Sequence, residues 1–258
     1  MRVICDTNVW YAIAEGEFFP PIGIELVSTE FSLYELVSTE VAVHDPILLQ
    51  KAIRAVHKYS SALIPVDPFY YLLTNSSERF FEWGSELTTN MVKTFNEMLN
   101  MDFSKTEKIP DDIAFKVIQE SQERRDVRVK YAHYLNSILP EKRKMINRDI
   151  GKNEYLKTDQ IEEVKNLVFQ WTTNYLKTKN DSIEIEEINW KSIEFFLNVT
   201  ENFHKKLDTT KGMKFTPNDA TDWLNLLYVE PGMKYLTFDK KWRKTILEDP
   251  ITKDYLFV

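Results

Sequence analysis

Apolar and polar positions alternate along this chain in a β-then-α rhythm. Val3, Ile4 and Cys5 form a short continuous apolar run that stops at Asp6, the pattern of a parallel strand buried on both faces. From Asn8 to Ala14 the apolar residues take helical spacing. Ile24 to Thr29 (IELVST) predicts a second strand, and Phe31, Tyr34, Leu36 and Val37 within FSLYELVSTEVAV predict the helix after it. Helix resumes beyond Pro46 through LLQKAIRAVHKY, and SALIPVD reads as a third strand closed by Pro65 and Pro68. The order β-α-β-α-α-β predicts an α/β fold, a parallel sheet flanked by helices.

From Phe69 to Lys214 the rhythm changes. FFEWGSELTTNMVKTFNEML, DDIAFKVIQESQERRDVRVKYAHYL, TDQIEEVKNLVFQWTTNYL and WKSIEFFLNVTENFHKKL carry apolar residues three and four apart, the helical interval, with breaks expected at Lys108-Ile109-Pro110, Pro140 and Asn180-Asp181-Ser182. EIEEINW before Trp190 fits either a strand or the approach to a helix. At FTPNDATDWLNLLYV, Thr216 suits an N-cap, Pro217 the first helical position, and Asp219 the first turn, where the helix dipole favours an anion. MKYLTFD then predicts a strand, KKWRKTIL a short helix and YLFV a last strand. Residues 1–68 and 215–258 therefore read as one α/β core, and 69–214 as an all-helical insertion or subdomain.

Composition narrows the class. A hydrophobic fraction of 43% with 13% aromatics and only six glycines indicates a packed, helix-rich globular chain. The single cysteine excludes an internal disulfide or a Cys-based zinc site, and no uninterrupted apolar run reaches the ~18 residues of a membrane span. A cytoplasmic protein without a membrane partner is expected. The net charge of −7 argues against a generic phosphate-coating protein, whose affinity would come from Lys and Arg.

Acidic residues occupy the places where open parallel sheets build their sites, outside the carboxyl ends of strands. Asp6 follows the first strand, Asp239 follows the strand Tyr235 to Thr237, and Glu35 lies in the helix after the second strand. Asp222 lies three residues beyond Asp219, on the same side of the helix leading to the Asp239 strand. Carboxylates gathered without Lys or Arg partners repel one another unless a cation sits among them, and hard divalent ions such as Mg2+ or Mn2+ prefer oxygen ligands. Such an ion could activate water and stabilise charge developing on a phosphodiester. Thr7, Asn8 and Thr237 would orient water or carboxylates. Each acid also has a plainer reading: Asp6 and Asp239 as helix caps, Asp219 as a dipole partner, Asp222 and Glu35 as solvated helix residues.

Taken together, VICDTNVW, an acidic residue in the helix after strand two, NDATDWLNLL and YLTFDKKW resemble the motifs of the PIN domain. This is a family of metal-dependent nucleases, mostly ribonucleases, that includes many toxins of toxin-antitoxin pairs. The resemblance covers roughly residues 1–68 and 215–258. It implies a PIN-like fold, a Mg2+- or Mn2+-dependent endoribonuclease, and an acidic set at Asp6, Glu35, Asp222 and Asp239, with Thr7, Asn8, Asp219 and Thr237 in support. Asp222 is preferred over Asp219 for the third acidic position because its interval to Asp239 suits one helix and a turn. RNA would be the substrate, and an antitoxin, another protein or a second copy of the chain the partner. Compact members of the family lack anything like the 69–214 segment.

Basic residues suggest where a nucleic-acid backbone would lie. Lys240, Lys241 and Arg243 immediately follow Asp239, and residues 120–157 hold ten Lys and Arg against six Asp and Glu, including Arg124, Arg125 and Arg128. Tyr131, His133 or Tyr134 could stack on bases. A charged run is more often just a solvated helix face. Two further readings stand beside the nuclease: a catalytically silent RNA-binding or protein-docking module on the same fold, and a receiver-like domain with Asp67 as its acceptor. The four histidines, at 44, 57, 133 and 204, lack metal-ligand spacing.

Overall fold

The computed structural model describes residues 1–38, 45–80, 95–97, 99–100 and 111–258, and for residues 37–38, 111–125 and 127 the backbone alone. The helix expected from FFEWGSELTTNMVKTFNEML and the break at Lys108-Ile109-Pro110 lie largely or wholly outside the described residues. Four parallel strands, β1 (Arg2–Cys5), β2 (Glu25–Thr29), β3 (Ser60–Ile64) and β4 (Lys234–Leu236), form one sheet in the order β3-β2-β1-β4. Helix α1 (Thr7–Glu15) follows β1, α2 (Glu30–Ser38) and α3 (Pro46–Tyr59) follow β2, and α4 (Pro68–Ser76) follows β3. The expected α/β order therefore holds through residue 68.

Alternation within the strands sorts two cores onto the two faces of the sheet, because successive side chains point to opposite sides. Val3, Cys5, Leu26 and Leu236 pack with Val9, Trp10, Leu49, Ile53 and Val56 of α1 and α3. Ile4, Val27 and Tyr235 face the other way, into a larger core built with Phe195, Phe196, Phe203, Trp223 and Trp242. That second core also takes Ala132 and Leu139, Val164 and Val168, so residues of the 69–214 segment and of the sheet share one apolar interior.

The helices of that layer are α5 (Asp111–Asp149), the four-residue α6 (Lys152–Tyr155), α7 (Ile161–Lys177) and α8 (Glu194–Thr209). EIEEINW contributes a 3₁₀ turn at Ile185–Glu187 and no strand. Pro140, expected to break the chain, lies inside α5. Proline removes one backbone donor and crowds the preceding turn, a cost of about 3 kcal/mol in an isolated helix. Here both flanks are anchored. Asn136 exchanges hydrogen bonds with the backbone of Phe215 at 2.8 and 2.9 Å, while Leu139 and Ile146 are buried. The Arg143 guanidinium donates to the carbonyls of Leu207 and Met213 at 2.6 and 2.7 Å. At 1.5 Å per residue the helix is about 58 Å long.

After α9 (Pro217–Asn225) and β4, α10 (Lys240–Leu247) closes the second core through Trp242 and Ile246. The expected last strand, YLFV, reduces to a single parallel bridge between Leu256 and Tyr235, with Phe257 N–H donating to the Tyr235 carbonyl at 2.8 Å. Among the described residues no helix is long and apolar enough to cross a membrane.

A buried polar knot fastens α5 to α6 and α8. Asp208 accepts from the Tyr155 hydroxyl at 2.6 Å and pairs with Lys142 at 2.6 Å. Lys142 is partly exposed and can turn to solvent, so the loss falls on the buried Tyr155 hydroxyl, and Asp208→Ala should lower the unfolding free energy by about 1–2 kcal/mol. Urea titration reads this directly, and a loss below about 0.5 kcal/mol would show that the knot carries no weight.

Candidate metal centre

The sheet order creates a switch point. From β1 the chain winds outward through β2 and β3, whereas β4 adds on the opposite side, so the connections diverge at the β1–β4 boundary. Open sheets bind ligands outside the carboxyl ends of strands at such a point. Asp6 sits there as the first residue beyond β1, its N–H bonded to the Leu236 carbonyl at 2.9 Å.

Asp6 is both buried and tightly held. As N-cap of α1 its Oδ1 accepts the Thr7 N–H at 2.8 Å, and Oδ2 accepts Asn8 Nδ2 at 2.7 Å and the Thr237 hydroxyl at 2.6 Å. Asn8 reaches the residue after Thr237, its Oδ1 accepting the Phe238 N–H at 2.9 Å. Asn8 and Thr237 thus stitch the end of β1 to the end of β4. Thr7 turns the other way and donates its hydroxyl to Glu35 Oε2 at 2.5 Å.

Glu35 and Asp222 come from helices that are themselves tied together. Thr29 and Ser32 exchange side-chain-to-backbone bonds of 3.0 Å at the start of α2, and the Thr29 hydroxyl donates to Asn225 of α9 at 2.8 Å. On α9, Asp222 Oδ2 accepts the indole N–H of Trp242 at 2.9 Å. One carboxylate oxygen each from Asp6, Glu35 and Asp222 lies within 4.8 Å of the others. An ion with bonds of ~2.1 Å places its oxygen ligands up to about 4.2 Å apart, so slight contraction would bring all three into one shell. Three hard oxygen donors match Mg2+ or Mn2+.

Asp219 and Asp239 take other work. Asp219 forms a reciprocal capping box with Thr216, and its Oδ1 pairs with Lys241 at 2.6 Å. Asp239 caps α10, accepting the Trp242 N–H at 2.8 Å, and stands outside the three-oxygen group. Its charge still acts on Asp6 and Asp222.

Crowded negative charge marks the group's titration. Burial raises the Asp6 carboxyl above the ordinary carboxylate range, with the Thr237, Thr7 and Asn8 donors opposing and Asp239 adding to the rise. Burial and the Asp6 charge push Glu35 up to about 7, against the pull of Thr7 and the Arg128 guanidinium. Asp222 rises well above its usual value through burial and then through the charges of Asp6, Glu35 and Asp239. Like charges held this close favour the protonated form.

The basic candidates are mostly engaged. Lys241 holds Asp219, Arg243 donates to the Thr237 carbonyl at 3.2 Å, and Lys240 is exposed at the start of α10. Arg128 bonds to the Thr221 hydroxyl. Arg124 and Arg125 ride on the α5 backbone, their side chains outside the described residues. Tyr131 does not offer a stacking face: its ring lies among Trp171, Phe215 and Trp223, whereas His133 and Tyr134 are exposed. Asp67 caps α4, accepting from Phe69 and Tyr70, and accepts the Tyr175 hydroxyl at 2.9 Å. Trp242 and Thr221 escaped the sequence reading. A buried indole needs an acceptor, and an aromatic three residues past Asp239 was the available sign of it.

No family model, curated protein or solved structure matches the chain.

Because Glu35 titrates near 7 in the folded chain against about 4.5 unfolded, the folded state binds more protons between those values. The metal-free protein should be most stable below about pH 4.5 with respect to this group, losing that contribution as pH rises through about 7. Thermal melts in chelator across this window check the sign, and a rise in stability would reverse the electrostatic account. In the same melts at pH 8, Asp222→Asn should stabilise the protein by about 1–2 kcal/mol, roughly 2–8 °C, by removing a repelled charge.

Proposed function

We propose that the protein is a PIN-like, metal-dependent endoribonuclease that hydrolyses RNA phosphodiester bonds. The observation that carries this reading is the approach of Asp6, Glu35 and Asp222 to within 4.8 Å at the point where the sheet's connections diverge. Those residues are the ones that the PIN resemblance singles out, and Asp239, the fourth, lies near enough to act on two of them electrostatically.

Asp6, Glu35 and Asp222 would hold a Mg2+ or Mn2+ ion, which would supply an activated water and offset charge on the phosphodiester. The chain's own contribution is to fix its carboxylates before substrate arrives. Asn8 and Thr237 hold Asp6, Thr7 holds Glu35, and Trp242 holds Asp222. Asp239 adds negative charge beside the group while capping α10. Lys240, exposed at the start of α10 and next in sequence to Asp239, would be the residue to meet a phosphate there.

One observation favours the silent-module reading: Asp239 is spent as a helix cap and does not join the three-oxygen group. A cleavage assay on a circular, fluorescently labelled RNA with Mg2+ or Mn2+ separates the two. The nuclease should linearise it, and Asp6→Asn or Asp222→Asn should each slow the reaction by about 10³-fold or more with the fold intact by circular dichroism. Asp219→Asn should stay within about threefold of wild type, its effect falling on the α9 cap. RNA binding without cleavage under either ion would support the silent module, and undiminished cleavage by both Asp6→Asn and Asp222→Asn would rule the mechanism out.

A further inference from the structure

The residue between Thr237 and Asp239 is an exposed aromatic. Phe238 follows the last sheet strand, yet 38% of its surface is open to solvent. Its ring meets that of Phe18 edge to face, with centroids 5.5 Å apart and planes at 68°. In such a pair each ring keeps at least one face that the other does not cover.

Backbone bonds place both rings. Gly16 ends α1 at φ 78°, in the left-handed region that favours glycine, and the N–H groups of Glu17 and Phe18 then donate to the Ala12 carbonyl at 2.8 and 3.2 Å. That turn sets Phe18 against the smaller core. Phe238 donates its own N–H to Asn8 Oδ1 at 2.9 Å, and the side-chain amide of Asn8 donates to Asp6 Oδ2 at 2.7 Å. Two hydrogen bonds and one amide group therefore join the Phe238 backbone to a carboxylate of the candidate metal centre, a path of about 10 Å at most. Two residues further on, Lys240 is exposed. A lone apolar side chain at a surface is ordinary. Here the ring is ordered, braced by a second ring, and tied through Asn8 to Asp6.

We propose that Phe238, braced by Phe18, is the stacking platform for an unpaired base of the RNA, so that single-stranded RNA is the substrate class of the carboxylate group beside it. The inference rests on the nuclease reading given above. A duplex keeps its bases stacked on one another and offers no base face to a protein ring, whereas a single strand can turn one out. Stacking reads the π-face that every base has, so the platform selects for strandedness and tolerates sequence. The base held on Phe238 brings the adjoining phosphodiester towards Asp6, and Lys240 meets the backbone on the far side.

Fluorescence anisotropy on the intact chain in chelator, with a labelled RNA strand alone or annealed to its complement, tests this without relying on turnover. Phe238→Leu keeps an apolar contact for Phe18 but has no ring, and Phe238→Trp keeps a ring, each variant being checked for its fold by circular dichroism. Wild type should bind the single strand at least about tenfold more tightly than the duplex. Phe238→Leu should bind the single strand about tenfold more weakly than wild type, and Phe238→Trp within about threefold of it. No binding of the single strand, wild-type affinity in Phe238→Leu, equal losses in both variants, or a duplex bound as tightly as the single strand each overturns the platform. With circular RNA still cleaved, any of these leaves the nuclease reading standing, and a wild type that neither binds the single strand nor cleaves circular RNA overturns both.

Discussion

Repulsion among carboxylates at the end of a buried sheet is the constraint around which this molecule is arranged. Asp6 cannot move away, because its backbone is bonded to β4 and its side chain is held by three donors. Asp222 and Glu35 are brought up to it by helices fastened through Thr29 and Asn225. Each fixing bond orders a side chain that would otherwise swing into solvent, and the apolar cores on both faces of the sheet supply the rigidity. An arrangement that burial and like charge both disfavour persists when the surrounding structure over-determines it.

The two layers contribute differently. The face bearing α1 and α3 is the smaller core, completed by Leu236 of β4, and it aims Asp6, Thr7 and Asn8. The opposite face holds most of the large aromatics, and there the helical segment and the ends of the chain cannot be separated without exposing Trp223 and its neighbours. Trp223 is additionally fixed by donating its indole N–H to Thr200 at 2.6 Å. Asp222, on the same helix, inherits that rigidity.

Legibility in the sequence followed the range of the interactions. β1 to β3 and their helices could be read because alternation, proline punctuation and caps are local properties of a few residues. Asp6 and Asp239 stood out for the same reason, each ending an apolar strand. The preference for Asp222 over Asp219 rested on spacing, and the different posts of the two emerge only when Lys241 and Thr216 are seen to take Asp219. Pro140 misled because local propensity favours a break, whereas Asn136 and Arg143 hold the helix through contacts some 70 residues away in sequence. Tyr131 misled in the opposite direction: a tyrosine among lysines and arginines looked exposed, and its partners Trp171, Phe215 and Trp223 were distant in sequence. Arg128 was noticed for its charge, but nothing local connected it to Thr221.

The hydrogen bond from Thr237 to Asp6 joins residues 231 positions apart. Asp6 is therefore synthesised long before Thr237, and a ribosome that stalls within the helical segment leaves Asp6 and Glu35 without Asp222, Thr237 or Trp242. The site is a property of the chain only once residues beyond Trp242 have emerged and β4 has docked beside β1. The carboxylate group is thus a product of the whole chain's topology, complete only when its last sheet strand has joined the first.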